Sequence, residues 1–462
     1  MKIRKIRKGL VLGMVLALVA MVFATVPMNV GAVFTGDVTI KSDGTVDPLS
    51  APISQVGTTY KLTDDISGTI TIEKSGITLD GNGYTLQGSG SGYGIYMNSI
   101  SGVNIKRCKV DGFNVGIRVE YSSDNIFEGN TITGSTMTGI ALWQYSSNNV
   151  IKENTIKNNG YGMILTNYCD YNTISKNTVM DNNAFGIRIY WYSNQNVVTE
   201  NTVKANDWYG IDIYAYCHYN NIYQNTVKNN GMDGIRIVFR SYYNTIMDNT
   251  VMGNRGDGVT LHSYVSGNIV TRNTISDNGD GVSYGDGIYF LGSDNNIITE
   301  NTVKDNDFAG LRMVGFRSMN NIIKQNTFKT NKDGGIILWG AKSNTITENK
   351  ILDNANEGVL LTYWSATGHT STDNVINKNT ILRNDVGINL HATSINNEIY
   401  HNNILRNDGQ AYDDGVNAWD NGAEGNYWSD YSGSDADNDG IGDTPYVIDF
   451  DSQDNYPLMN PY

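Results

Sequence analysis

One register dominates this chain. The Asn of an Asn-Thr-Ile or Asn-Thr-Val triplet returns at Asn130, Asn154, Asn177, Asn201, Asn225, Asn249, Asn273 and Asn301, and of an Asn-Thr-Phe triplet at Asn326. It continues, with Thr lost in places, at Asn349, Asn379 and Asn402, and most steps are 23 to 25 residues. A second Asn lies five residues before each, as at Asn149, Asn172, Asn196 and Asn220. A third often lies five after, as at Asn182, Asn206, Asn230 and Asn254. A Gly-led apolar alternation then follows: Gly186-Ile187-Arg188-Ile189, Gly210-Ile211-Asp212-Ile213, Gly234-Ile235-Arg236-Ile237.

Each repeat thus holds three short β-type pieces whose alternation points one set of apolar side chains inward. The pieces are too short to pair within a repeat, so each must pair with its counterpart in the next. That winds three parallel sheets into a coil. Asn tolerates the left-handed corners, and stacked Asn side chains bond along the stack. Proline would remove ladder donors, and only 6 occur in 462 residues. No 3.6-residue period supports a helical solenoid, and 39% apolar residues argue against disorder. The expectation is one elongated all-β domain of about fourteen coils, roughly 65 Å long at about 4.8 Å per coil.

This pattern resembles the right-handed, single-stranded parallel β-helix repeat over residues 60–408, with Gly76 to Gly83 as an entry turn and Cys108 in an Asn slot. Residues 33–59 are expected to cap the first coil. From Gly409 the repeat stops. Asn417-Ala418-Trp419-Asp420, Gly425-Asn426-Tyr427-Trp428-Ser429-Asp430-Tyr431, Thr444-Pro445-Tyr446 and Tyr456-Pro457-Leu458 are similar to the end of the NosD-like β-helix family. That family lies in a wider group of carbohydrate-binding and sugar-hydrolysis β-helix domains. Its name comes from a periplasmic accessory protein for copper insertion into nitrous-oxide reductase. The resemblance implies three functions: a carbohydrate-binding or surface protein, a polysaccharide-active hydrolase, lyase or epimerase, or a copper-maturation accessory.

The C-terminal cap, residues 409–462, contains Asp435-x-Asp437-x-Asp439-Gly440-Ile441-x-Asp443. Carboxylates at loop positions 1, 3, 5 and 9, with a carbonyl at 7, match a Ca²⁺ loop. The acidic residue expected at position 12 is missing, Tyr446 standing there, with Asp449 or Asp451 as substitutes. The ion would fix the cap.

Residues 1–32 have the three-part form of a signal peptide. Lys2, Arg4, Lys5, Arg7 and Lys8 precede an apolar run from Gly9 to Val26, and Val30-Gly31-Ala32 offers a cleavage site. An uncleaved segment would anchor the chain in a membrane; cleavage leaves an extracellular, cell-surface or periplasmic protein. Removing those five cations takes the formal charge from −14 to about −19, which excludes a nucleic-acid partner. Cys169 and Cys217, two repeats apart, are too distant to bridge.

Three outward columns carry candidate chemistry. Trp143, Tyr190 and Tyr214 stand beside Tyr145, Tyr168, Tyr192 and Tyr216, an aromatic strip for stacking on sugar rings, with Arg188, Asp212 and Arg236 on consecutive coils as either a surface charge ladder or an acid with flanking cations suited to acidic polysaccharide. Alternatively, the rings only brace the sheet. Asp233, Asp257 and Asp286 would lie roughly 5 Å apart, a spacing for a Ca²⁺ site or a retaining glycosidase pair, with His262 as base and Arg236 nearby. The plain alternative is turn-forming Asp-Gly. Enlarged coils at 279–286 and 363–373 are expected to wall a binding face. Copper finds little support: His218, His262, His369, His391 and His401 are dispersed, and Cys217-His218 is the only close pair.

Overall fold

The computed structural model describes residues 33–282, 285–366 and 368–462. The segment read as a signal peptide lies outside them. Every regular element among the described residues is a β-strand. One turn shows the logic: Ile187–Tyr190, Val197–Thr199 and Thr202–Lys204, then Ile211–Tyr214 opens the next turn. Each strand pairs in parallel with its counterpart one turn on, as Ile187↔Ile211, Val198↔Ile222 and Val203↔Val227 do. The result is an all-β parallel solenoid of about 15 turns. Its three walls are a glycine-led sheet, a second sheet after the first Asn and a third after the second Asn.

The sheets reach past the expected 60–408 window at both ends. Phe34–Thr35 pairs in parallel with Ile66–Ser67, and Val38–Ile40 with Ile70–Ile72. Within the expected N-terminal cap, Ile53–Val56 instead turns back antiparallel on Thr59–Leu62, adding an end strand to the second sheet. At the far end Gly409–Asp413 adds to Val386–Leu390, and Tyr427–Trp428 to Asn403–Leu405.

Alternation fills the bore: Ile187, Ile189, Val198 and Val203 are fully buried, each side chain contributing about 1.5–3 kcal/mol. Gly210 is required where wall meets bore, since a β-carbon there would lie 2.4 Å from Val227 Cγ1 and 2.6 Å from the Gly234 carbonyl.

Three asparagine ladders line the corners. The Asn201 backbone N–H and Nδ2 both donate to Asn225 Oδ1 at 3.0 Å, and Asn225 repeats this onto Asn249 at 2.9 and 3.0 Å. The flanking ladders do the same through Asn220→Asn244 and Asn206→Asn230. Cys108 joins the middle ladder through its backbone, its N–H donating to Asn130 Oδ1 at 2.9 Å. Because every rung donates forward, the last rung of each ladder needs an acceptor. Asp413 takes Asn417 Nδ2 (2.7 Å), Asp454 takes the Asn426 N–H (2.7 Å), and Gln410 takes Asn407 Nδ2 (3.1 Å). The same two aspartates accept the buried indole N–H groups of Trp419 and Trp428 at 2.8 Å. The tail therefore terminates the ladders chemically as well as covering the bore. Cys108, Cys169 and Cys217 are all buried free thiols, and burial pushes the first two up to about 12.

Candidate functional site

The outer face of the glycine-led sheet holds the residues singled out from sequence. The expected stacking of Arg188, Asp212 and Arg236 on successive turns is present, but not as a surface charge ladder. Asp212 is wholly buried, gripped by Arg188 Nε at 3.1 Å and Arg236 Nε at 2.8 Å. Rings roof the cluster: Arg188 lies 4.3 Å from the Phe185 centroid and 4.6 Å from Tyr190, and Arg236 3.6 Å from Tyr209. Long side chains leaning along a flat sheet exclude water from the short carboxylate between them.

Asp233, Asp257 and Asp286 do follow one another along the solenoid, but as a ladder. Asp233 Oδ1 accepts the Asp257 N–H (3.0 Å), Asp257 Oδ1 accepts the Asp286 N–H (2.8 Å), and Asp286 Oδ1 accepts the Ala309 N–H (3.2 Å). Thr260 Oγ1 donates to Asp233 Oδ2 at 2.9 Å, and Arg312 Nε to Asp286 Oδ2 at 2.8 Å. Burial raises all three carboxyls; Asp286 reaches about 6 despite Arg312. Asp257 stands well above the usual range, through burial first and then the charges of Asp286 and Asp233. This geometry is a poor glycosidase pair, because one oxygen of each carboxylate holds the next turn in register. Burial and then Arg236 lower His262, so its imidazole is neutral near pH 7. Its Nδ1 pairs with Ser263 Oγ.

The expected sugar-stacking strip also changes meaning. Tyr145, Tyr168, Tyr192 and Tyr216 stack ring on ring, with centroids 5.2, 5.3 and 4.9 Å apart. They sit at bend positions with φ of 57° to 63°, and mutual stacking offsets that backbone cost. Their faces are thus taken by each other, leaving edges outward. Trp143 has Arg118 over its ring at 3.6 Å, and Tyr190 and Tyr214 lean together at 5.6 Å.

One turn beyond Tyr216 the bend column changes. It continues as Arg240 and Tyr264; the next bend keeps one residue, Gly292, where its predecessor has Ser263 and Tyr264, and Gly292, Gly315 and Gly340 each follow their strand directly, at positive φ. With the rings gone, a groove opens along the bend after the glycine-led strands. Arg240, Tyr243, Tyr264 and Arg317 line a cavity of about 550 Å³. Tyr264 and Arg317 also wall a second of about 380 Å³, with His262, Phe316 and Trp364. Trp364 in turn borders a third of about 380 Å³, with Trp339, Thr362 and His391. From the Arg240 turn to the His391 turn is six strand steps, roughly 29 Å at about 4.8 Å each.

The enlarged coil 363–373 walls this groove. Trp364 N–H donates to the His369 carbonyl at 2.7 Å, folding the loop back. The His369 ring meets Phe316 at 4.5 Å, and the Trp364 ring lies over Gly315, where a β-carbon would come within 3.2 Å. The described residues of the other enlarged coil, 279–282 and 285–286, precede Ile288–Leu291, and Asp280 is tied to Arg255 at 3.1 Å. Sequence reasoning missed Tyr243, Phe316, Arg317 and Trp364 as lining residues. The available signal was the glycine that follows three successive strands, at Gly292, Gly315 and Gly340, with a tryptophan in the next insertion.

In the C-terminal cap, carboxylate oxygens of Asp435, Asp437 and Asp439 lie within 4.8 Å of one another. Asp435 accepts the N–H groups of Asp439 (3.1 Å) and Gly440 (3.0 Å), which holds the loop in its curl. Ile441, expected to offer its carbonyl, donates its N–H to Asp439 Oδ1 at 2.8 Å. Asp443 closes the loop's base: its Oδ2 accepts Ser434 Oγ (3.0 Å) and the Ala436 N–H (2.8 Å). Asp449 caps its own turn through the Ser452 N–H at 2.9 Å. Among the described residues this is the sole converging set of three or more His, Cys, Asp or Glu side chains. Copper(I) prefers sulfur and imidazole. Here the thiols are buried, His401 pairs with Glu424 at 2.7 Å and His218 Nδ1 accepts the Tyr242 N–H at 3.0 Å. Among the described residues no three His or Cys side chains converge on one point as a copper(I) set would.

These coils match the family model described as a right handed beta helix region over residues 93–251 and 217–315, which defines the class. Residues 283–433 match the model described as periplasmic copper-binding protein (NosD). The two matches together support a NosD-like right-handed β-helix family for this chain. No curated protein matches its sequence. Among solved structures it is similar to the A-module of the Azotobacter vinelandii mannuronan C-5 epimerase AlgE4, at 15% identity over 80% of this chain and 91% of that one, TM-score 0.44. It is similar to the periplasmic alginate epimerase AlgG at 16% identity over 74% and 83%, TM-score 0.40. It is similar to the catalytic domain of a GH87 alpha-1,3-glucanase at 14% identity over 68% and 61%, TM-score 0.48.

Proposed function

We propose that this is an exported carbohydrate-binding protein that holds a linear polysaccharide along the bend groove. The observation that carries the reading is the series of three cavities sharing walls at Tyr264, Arg317 and Trp364. A groove running parallel to the solenoid axis suits a polymer with a repeating contact. Aromatic walls supply flat apolar area with little ordering cost, and a few polar groups set orientation. Binding is favoured over hydrolysis because the candidate carboxylates are buried in a structural ladder. Export is supported by the signal-like residues 1–32.

Titration with oligosaccharides of increasing length, read by tryptophan fluorescence, tests this. Affinity should climb with length until roughly 29 Å of groove is filled, and Trp364→Ala should lower it at least tenfold. Length-independent binding, or an unchanged Trp364→Ala, contradicts the reading. Appearance of shorter or altered sugars on incubation would favour the enzyme alternative.

Calcium in the Asp435 loop is part of the same proposal, as a brace for the cap. Three converging hard oxygens on a curled loop support it. Chelation should lower the melting temperature of the wild type and leave Asp437→Asn unmoved; equal responses argue against a bound ion.

A further inference from the structure

The groove's two arginines stand apart from the rest. Arg107, Arg118, Arg188, Arg236, Arg255, Arg272, Arg312 and Arg383 each have a carboxylate within ion-pair distance. This includes strongly exposed side chains, such as Arg255 at 69% and Arg383 at 52%. On a chain with formal charge −14, a surface guanidinium readily finds an acidic neighbour. Arg240 and Arg317 have none, though Asp294 lines the same cavity. Arg406, far along the chain, is the other such arginine among the described residues.

Their placement is also specific. Arg317 lies 4.9 Å from the Tyr264 ring centroid and 5.5 Å from Phe316, so its plane is held by rings while its N–H fork stays open. Arg240 stands one turn from Tyr264 in the same bend column, at φ 53°. A planar fork fixed against an aromatic face presents paired donors to a carboxylate or sulfate. At the other end the walls are Trp339, Trp364, Thr362 and His391, with no Arg or Lys.

We propose that the Arg240–Tyr264–Arg317 end of the groove selects an anionic glycan, one whose rings carry carboxylate or sulfate groups, while the Trp364 end takes an uncharged ring face. This rests on the reading of the bend as a glycan groove. Local positive charge on an acidic surface also steers such a polymer to this point and repels it elsewhere.

The test is calorimetric titration of the full protein with three oligosaccharide probes of equal length: a polyuronate, a sulfated galactan and a neutral galactan. Wild type is compared with Arg240→Gln/Arg317→Gln and with Trp364→Ala, each checked for intact fold by circular dichroism. One anionic probe should bind at least tenfold tighter than the neutral one, and which of the two does so identifies the charged group. That advantage should vanish in the double variant and shrink with added salt, while neutral-probe affinity stays within about twofold. A neutral probe that binds as well as the anionic ones, or a preference surviving the double substitution, overturns the charge assignment but leaves the groove. If no probe binds, or if Trp364→Ala changes nothing, the groove reading fails and this inference with it.

Discussion

The turns carrying Tyr121 to Tyr216 and those carrying Arg240 to Trp364 are built on the same interior. The Asn ladders run through both without a break, and the inward Ile and Val columns stay fully buried. The two regions differ only outside. In the first, each bend places a ring on the ring below, and the stack consumes its own faces. In the second, the bend after Leu291 is a residue shorter and the bends after Leu291, Val314 and Trp339 open on glycine, so the ring stack stops, and Tyr264, Arg317 and Trp364 face open volume instead. A solenoid can therefore decouple what holds it together from what it binds, because the ladder lies inside each corner and the bend side chain outside.

The largest effect should come from breaking what the regions share. Asn225 makes five side-chain hydrogen bonds, accepting two from Asn201 and donating to Asn249, Val198 and Tyr223. Asn225→Ala strands buried donors and should cost about 3 kcal/mol or more, read as a lower denaturation midpoint. A loss below about 1 kcal/mol would show that the ladder is not what holds the corners.

A second effect separates the carboxylate ladder from its amide neighbours. Asp257 does for one corner what Asn does for three, but it binds a proton. Its folded carboxyl is raised by burial and by Asp286 and Asp233. Proton binding therefore stabilises the fold fully below the unfolded pKa, and that stability is lost as pH rises through the folded value. Asp257→Asn keeps an oxygen for the Asp286 N–H and removes the charge. The variant should match or trail wild type near pH 4 and exceed it at pH 8. Parallel stability–pH curves for the two proteins would contradict a raised Asp257.

The smallest effect lies on the stacked side. Tyr168→Ala breaks two ring contacts and should cost about 1 kcal/mol, with glycan affinity unchanged. A fall in affinity would return the binding face to the tyrosine strip.

The interior was legible in the sequence because its rules are periodic. Asn at five-residue spacing, glycine before the apolar pair and scarce proline each follow from parallel pairing of short strands. The outward columns were legible as lists but not as environments. Nothing in the order of residues says that Arg188 and Arg236 fold over Asp212, or that Tyr145 to Tyr216 close on one another. Both follow from side-chain lengths against a turn spacing of about 4.8 Å, and so need coordinates. The Asp435 loop was legible as a curl, and the bonds by which Asp443 closes its base needed coordinates. The groove left a trace in sequence only as a shortened bend and as Gly292 and Gly315 directly after their strands, where the preceding turn has Ser263. An absence is harder to read than a motif.

The most direct test converts one region into the other. Gly292 has φ 58°, the same as the stacked tyrosines, and a β-carbon there meets only Arg317 Cβ at 3.8 Å. Gly292→Tyr should extend the stack over Tyr264 and fill the cavity between Tyr264 and Trp364. Calorimetric titration of this variant with the best oligosaccharide should show at least a hundredfold weaker binding, with the melting temperature equal to or above wild type. Wild-type affinity in a folded Gly292→Tyr protein would contradict the account.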